Sequence, residues 1–250
     1  NVASTEMSTT KLDMREVKQL PVLFGEQDVL KTIQLTPGVK SAGEGNSGFY
    51  VRGGSTDQNL ILLDEAPVYN ASHVFGFLSV FNTDALKDVK LYKGNMPADY
   101  GGRLSSVLDI KMKEGNMKEY HGTASIGTLL SKIQVEGPIV KDKSSFMVSA
   151  RRTYFDFLFL RFAKDTMLKQ SKMYFYDLNV KTNVKINDKN RIFLSGYFGQ
   201  DVMDLADMFS NNYGNITGTL RWNHLFSNKL FLNSTIIYSI YNYVMSVDMG

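Results

Sequence analysis

Tyr174-Phe175-Tyr176-Asp177-Leu178-Asn179-Val180-Lys181-Thr182-Asn183-Val184-Lys185-Ile186 is the stretch on which the fold turns. Its even positions carry Tyr174, Tyr176, Leu178, Val180, Val184 and Ile186, with Thr182 among them. Its odd positions carry Asp177, Asn179, Lys181, Asn183 and Lys185, with Phe175 the exception. Successive side chains of a strand point to opposite faces, so a strand here has one oily and one wet face. Ile216, Leu220, Trp222 and Phe226 repeat the pattern against Asn215, Thr217, Thr219, Arg221 and Asn223. Leu230, Leu232, Ile236, Tyr238 and Ile240 do so less regularly.

A half-buried soluble sheet has the same alternation. Length separates the two readings, since soluble strands average about 5–6 residues and a membrane strand needs about 9–11. Aromatics near the strand ends suit an interfacial girdle. Connections also alternate: 138–144, 187–190 and 227–229 are short and polar, whereas 153–172 and 201–212 are expected to be long loops. About seven strands are expected, at 119–128, 131–138, 145–153, 173–186, 191–200, 213–226 and 229–245. An open seven-stranded sheet would leave edge N–H and C=O groups unpaired in lipid. More strands are therefore expected beyond residue 250.

Working outward, residues 1–117 have a different texture and are expected to form a small α+β domain, with 118–250 the start of the sheet. Residues 28–35 place Val29, Leu30, Ile33 and Leu35 at near-helical spacing, and Pro37-Gly38 stops them. Strands are expected at 49–52, 60–63, 89–92 and 107–112, and a short helix at 79–86. The 250 residues include 28 basic and 25 acidic side chains, too balanced to argue for nucleic acid. There is no cysteine, hence no disulfide and no thiolate chemistry. No apolar run of about 18 residues marks a transmembrane helix, which does not bear on barrel strands. The first residue is not Met, and the N-terminus is expected to be processed or truncated.

Several motifs dissolve on inspection. Gly43-Glu44-Gly45-Asn46-Ser47-Gly48 matches a dinucleotide fingerprint in letters, but neither a leading strand nor a following helix accompanies it. His73, His121 and His224 share no ligand spacing, so no metal site is expected. No nucleophile–base arrangement or carboxylate pair argues for an enzyme, and no cofactor is implied.

A better signal is an ordered series of glycine-bearing segments. It runs Val51-Arg52-Gly53-Gly54, Leu63-Asp64-Glu65-Ala66-Pro67-Val68, Val89-Lys90-Leu91-Tyr92-Lys93-Gly94-Asn95, and Tyr100-Gly101-Gly102 through Ile110. Singly each is ordinary turn chemistry. In this order they resemble the plug domain of TonB-dependent outer-membrane receptors, whose motifs are a V/I-R-G segment, L-D-G-x-P-V, V-E-x-x-K/R-G-P and a Y-G-x-x-x-G-G run. Residues 28–39 look like that plug's first helix and its exit. The phrasing of 69–77 and 100–109 looks most like Bacteroidetes-type members. Glu65 stands where the family has glycine, so that turn is expected to differ in shape, and Asn95 stands where it has proline.

The resemblance implies an α+β plug followed by the N-terminal strands of a large antiparallel transmembrane β-barrel of about 22 strands. It implies a receptor in the bacterial outer membrane for energy-coupled uptake of a scarce or bulky nutrient, with outer-membrane lipid around it and the TonB-ExbB-ExbD complex as partner. No TonB box is recognisable in residues 1–15, and the region that would hold it is expected upstream of them. A surface lipoprotein partner would fit glycan-type relatives but has no direct signal. Arg52 and Lys93 match basic plug positions that pair with barrel carboxylates, expected beyond residue 250. The turn glycines Gly53, Gly54, Gly94, Gly101 and Gly102, with Asp64 and Pro67, are structural marks of the plug. Ligand is expected at apical loops 41–48 and 69–76, with Tyr69, Asn70 and His73 as contacts. Trp222, Tyr174 and Tyr176 are expected at the lipid interface, Arg151 in the lumen and Arg152 at headgroup level. The alternatives are a signal-transducing receptor, a non-transporting binding protein on the same scaffold, and a soluble β-rich binding domain.

Overall fold

The computed structural model describes residues 9–17, 26–43, 47–162, 164–206 and 208–247. The chain divides into two units, Asn1–Met112 and Lys113–Gly250. Residues 44–46 of the rejected dinucleotide motif lie outside the described residues.

In the first unit β1 is Thr9–Leu12, α1 is Met14–Val17 and α2 is Val29–Gln34. β2 (Val39–Ser41), β3 (Phe49–Val51), β4 (Asn59–Leu63), β5 (Ala66–Pro67), β6 (Ser72–His73), β7 (Leu78–Ser79), β8 (Leu86–Lys93) and β9 (Ser106–Met112) follow. A mixed sheet runs in the order β1-β8-β9-β4-β5, with β4 and β9 parallel and β8 antiparallel to β9. Alternation on β9 sends Leu108, Ile110 and Met112 to one face and Val107 and Asp109 to the other. Val107 packs with Leu62 and Tyr92 beneath Leu60, Met96 and Tyr100. Helix α2 contributes Val29, Leu30 and Ile33, all fully buried, at the i, i+1, i+4 spacing of one helical face. Burying each such side chain is worth about 1.5–3 kcal/mol.

The short helix expected at 79–86 does not form. Those residues end β7, make one 3₁₀ turn at Thr83–Ala85 capped by Asn82, and start β8. The stretch is too short to nucleate an α-helix, and its Asn-Thr-Asp run competes for the backbone as caps do.

The second unit is one antiparallel sheet of seven strands in chain order. They are β10 (His121–Ile126), β11 (Leu130–Val140), β12 (Ser144–Thr153), β13 (Lys172–Asn187), β14 (Asn190–Leu205), β15 (Phe209–Ser227) and β16 (Leu230–Val247). Between β12 and β13 the connection carries a π-turn at Asp156–Leu160 and α3, Thr166–Gln170. The long loop expected at 201–212 is absent. β14 and β15 stay paired out to Leu205↔Phe209. No proline interrupts that stretch, and its polar residues satisfy their backbone groups best by continuing the ladder.

Register gathers like residues into rows across the strands. Ala124, Ile133, Ala150, Leu178, Phe198, Ile216 and Ile240 lie side by side across all seven strands. One row along and facing the other way are Thr123, Gln134, Ser149, Asn179, Tyr197, Thr217 and Ser239. Here the polar face is the buried one: Asn179, Lys181 and Asn183 are buried, while Leu178 is 40% exposed and Ile133 52%. A soluble sheet would be the reverse. From Tyr176 to Ile186 the apolar face covers roughly 33 Å of strand, or about 25 Å of height at a barrel-like tilt. Aromatics close both ends of that band. Tyr174, Tyr176 and Phe198 cluster at the end of the 154–171 connection, and Trp222, His224 and Phe226 at the other.

Candidate functional site

The plug-type motifs converge within the first unit. Val51 and Gly54 close a tight turn, the Gly54 N–H donating to the Val51 carbonyl at 2.9 Å, with Arg52 and Gly53 both at positive φ. Gly54 is required for a close approach, because a Cβ there would collide with the Ser105 side chain. Ser105 in turn donates its hydroxyl to the Val51 carbonyl at 2.8 Å. The first glycine motif is therefore tied to the loop that contains Gly101 and Gly102. Buried Asn59 continues the tie, donating to the Phe49 carbonyl at 2.7 Å and accepting from the Ser106 hydroxyl at 2.7 Å.

Asp64 and Glu65 form the two-residue hairpin between β4 and β5, where Leu63 pairs with Ala66 and Leu62 with Pro67. Both turn residues have positive φ, 46° and 74°. Glu65 adopts the left-handed conformation that a glycine takes most readily. Asp64 is buried and accepts from the Met112 N–H at 3.2 Å, pinning the hairpin to the end of β9. Glu65 lies 3.8 Å from Lys111, which also reaches Asp109 at 3.6 Å. Asp109 accepts from the Tyr100 hydroxyl at 3.3 Å. Burial holds the Asp109 carboxyl above its ordinary pKa, with Lys111 pulling the other way.

Arg52 and Lys93 come together. Lys93 is 8% exposed and donates to the Pro37 carbonyl at 2.7 Å. Arg52 lies over Gly94, whose φ is +91°; a Cβ there would sit 2.9 Å from a guanidinium nitrogen. Burial first, and the Arg52 charge second, lower the Lys93 pKa. Two adjacent cations favour a carboxylate or another anion beside them.

The two loops singled out as apical also meet. A cleft of about 440 Å³ is lined by Ser47, Gly48, Tyr50, Asp57, Tyr69 and Asn70, among others. Tyr69 is 59% exposed, and the Asn70 carboxamide accepts from the Ser72 N–H and hydroxyl at 3.2 and 2.9 Å. His73, at 1% exposure, is an interior residue outside the cleft lining. The cleft offers two tyrosine faces, a carboxylate and backbone groups, a set suited to a polar ligand with flat surfaces.

Sequence reasoning missed two groups. Asp28 caps α2 through the N–H groups of Leu30 and Lys31 at 2.8 and 3.1 Å, and also accepts from the Ser79 N–H at 2.6 Å. In the second unit, Asp177 accepts from Arg151 at 2.8 and 2.5 Å and from the Tyr197 hydroxyl at 2.7 Å. All three are about 2% exposed. Gly199 stands in register with Asp177, and a Cβ there would overlap the Tyr197 hydroxyl. Opposite charges on the polar faces of consecutive strands were the available signal.

Residues 1–106 match the family model described as TonB-dependent Receptor Plug Domain. No curated protein sequence matches the chain. Among solved structures, the siderophore receptor PirA from Acinetobacter baumannii is similar at 15% identity and TM-score 0.69, over 94% of this chain and 40% of that one. The ferric enterobactin receptor PfeA from Pseudomonas aeruginosa aligns at 13% identity and TM-score 0.67, over 96% of this chain and 41% of that one. The copper transporter OprC aligns at 12% identity and TM-score 0.67, over 96% and 38%. The chain thus spans about 40% of the length of the solved structures it matches. Its fold is a plug domain followed by the N-terminal strands of a large antiparallel transmembrane β-barrel.

Proposed function

We propose that this chain is part of a TonB-dependent outer-membrane receptor that takes up a scarce or bulky nutrient, its plug gating the barrel lumen. The observation that carries the reading is the combination of a plug-type turn cluster with a sheet whose polar face is buried and whose apolar face is exposed. The bacterial outer membrane is the location such a wall suits, and the TonB-ExbB-ExbD complex is the energy source such a plug requires. The solved structures it resembles are receptors and transporters, which supports a role in transport rather than catalysis. A Bacteroidetes-type source rests on the phrasing of 69–77 and 100–109 alone; the matched structures named above with a source come from Acinetobacter and Pseudomonas.

Arg52 and Lys93 would supply the plug's positive charge to carboxylates of the barrel wall. Tyr69 and Asn70, with Tyr50 and Asp57, would contact ligand in the cleft. A ferric siderophore or a copper ion, named for the matched structures, is the first class to try. The test is growth of a deletion strain on limiting nutrients, restored by the wild-type gene. Arg52→Glu should abolish restoration and make the plug protease-sensitive; unchanged growth and protease resistance would remove that role. Tyr69→Ala should raise the ligand concentration needed for half-maximal uptake at unchanged expression. Ligand binding without uptake would favour a non-transporting binding protein, and ligand-dependent transcription without uptake a signalling receptor.

A further inference from the structure

The exposed apolar face carries a cation next to its apolar rows. Arg152 is exposed on β12, in register with Ser131 and Tyr176, one row beyond the apolar row of Ala150 and Leu178. Its guanidinium lies 5.1 Å from the centre of the Tyr174 ring, and among the described residues it makes no ion pair. An arginine facing hydrocarbon is costly, and it becomes tolerable where it meets an anionic headgroup at the interface. Tyr174 and Tyr176 mark that interface.

Beside Arg152 the same face opens into a groove of about 720 Å³. Ala124, Ser131 and Ala150 give it a floor of small side chains, and Ile126, Ile133 and Leu178 give it apolar walls. That volume is of ligand size, larger than a packing defect. Small residues let a hydrocarbon chain approach the backbone closely. Lys132, Arg151 and Asp177 also line the groove, but they stand in the alternate rows of their strands, and Arg152 is the cation in the same row set as Ile133, Ala150 and Leu178. A cation at the head of such an apolar strip is complementary to an amphiphile with an anionic head and a hydrocarbon tail. A free anion would use the cation and leave the groove empty.

We propose that this groove binds a phosphate-bearing membrane lipid, the phosphate on Arg152 and an acyl chain along Ala150 and Ile133. The inference rests on the membrane reading above. Arginine suits the task because its planar fork matches two phosphate oxygens, where lysine offers a point charge. The lipid would belong to the leaflet at the end of the 154–171 connection.

Native mass spectrometry of the full-length protein in neutral detergent, titrated with phosphatidylglycerol, tests it. One tightly held phosphatidylglycerol is expected, with uncharged dioleoylglycerol not retained. Arg152→Gln should weaken retention about fivefold, with Arg152→Lys in between. Ala150→Leu, which fills the floor without touching charge, should weaken it too. Lys141→Gln, an exposed cation at the far end of the β11–β12 hairpin, should leave it unchanged. Retention unaffected by Arg152→Gln, an equal loss in Lys141→Gln, or displacement by millimolar inorganic phosphate as readily as by lipid would each overturn the proposal. Quenching of Trp222 fluorescence by brominated phosphatidylcholine, taken as wild type minus Trp222→Phe, separates the two layers. No quenching removes the membrane reading and this inference with it. Quenching with unchanged lipid retention in Arg152→Gln removes this inference alone.

Discussion

Replacing Asp177 with asparagine keeps the side-chain volume and removes one charge from a buried trio. Its carboxylate accepts from two Arg151 nitrogens and from the Tyr197 hydroxyl. After the change, a buried guanidinium has lost this carboxylate's charge and faces an amide that can itself donate. Breaking a buried ion pair from one side costs about 3–5 kcal/mol. Tyr197→Phe leaves the pair and removes one hydrogen bond to a charged acceptor, so its cost is smaller, about 1.5–3 kcal/mol. The double change Arg151→Met with Asp177→Leu removes both charges at similar volume and should cost far less than the sum of its parts, because no charge is left unpaired. The coupling between the two sites should therefore exceed about 2 kcal/mol. Denaturant unfolding of the full-length protein from lipid vesicles, followed by circular dichroism, is measured for the wild type, Arg151→Met, Asp177→Leu and their combination, the four corners of the cycle, and for Asp177→Asn and Tyr197→Phe beside them. A loss below about 1 kcal/mol for Asp177→Asn, or additive single effects, would refute the claim that this trio braces β12, β13 and β14.

Three further outcomes follow from the first unit. Gly54→Ala should cost about 1–3 kcal/mol by overlap with Ser105, and Ser105→Gly in the same chain should restore part of it, read by protease resistance of the plug. Asp28→Ala removes a cap and strands the buried Ser79 N–H, for about 2 kcal/mol in all, whereas Asp28→Ser keeps the cap and recovers roughly half; hydrogen exchange over 29–34 and 78–80 reads both. Asp109, whose pKa is raised by burial, binds its proton more tightly folded than unfolded. Its contribution is thus full below the ordinary aspartate value of 3.8 and falls as pH rises from there through the raised value. Exchange protection of β9, corrected for intrinsic rates, should decline across that window in the wild type and stay flatter in Asp109→Asn.

What the sequence made legible was whatever depends on short-range rules. The 174–186 alternation was readable because a strand's faces are set by parity alone, and α2 because apolar spacing and Pro37-Gly38 bracket it. The plug motifs were readable because tight turns demand particular residues. The false long loop at 201–212 shows the limit of the same logic: polarity says that a segment is wet, not that its backbone is unpaired. The Asp177 trio was hidden because it depends on register between three strands, and one residue of slippage would move every member to the other face. Asp28 was seen as a helix start and missed as a link to Ser79, a partner 51 residues away. The cleft was approached from both loops, whereas His73, turned inward from β6, lies outside its lining.

The account stands on which face of the second sheet meets lipid, and collision accessibility of spin labels reads that directly. The 250 residues contain no cysteine, so single cysteines at Leu178, Asn179, Val180 and Lys181 can be labelled one at a time in the vesicle-reconstituted protein. At 178 and 180 the labels should favour oxygen, which concentrates in hydrocarbon, and at 179 and 181 they should not. Uniform accessibility to a water-soluble nickel chelate at all four positions, or oxygen preference at 179 and 181, would contradict the membrane wall and the receptor built on it.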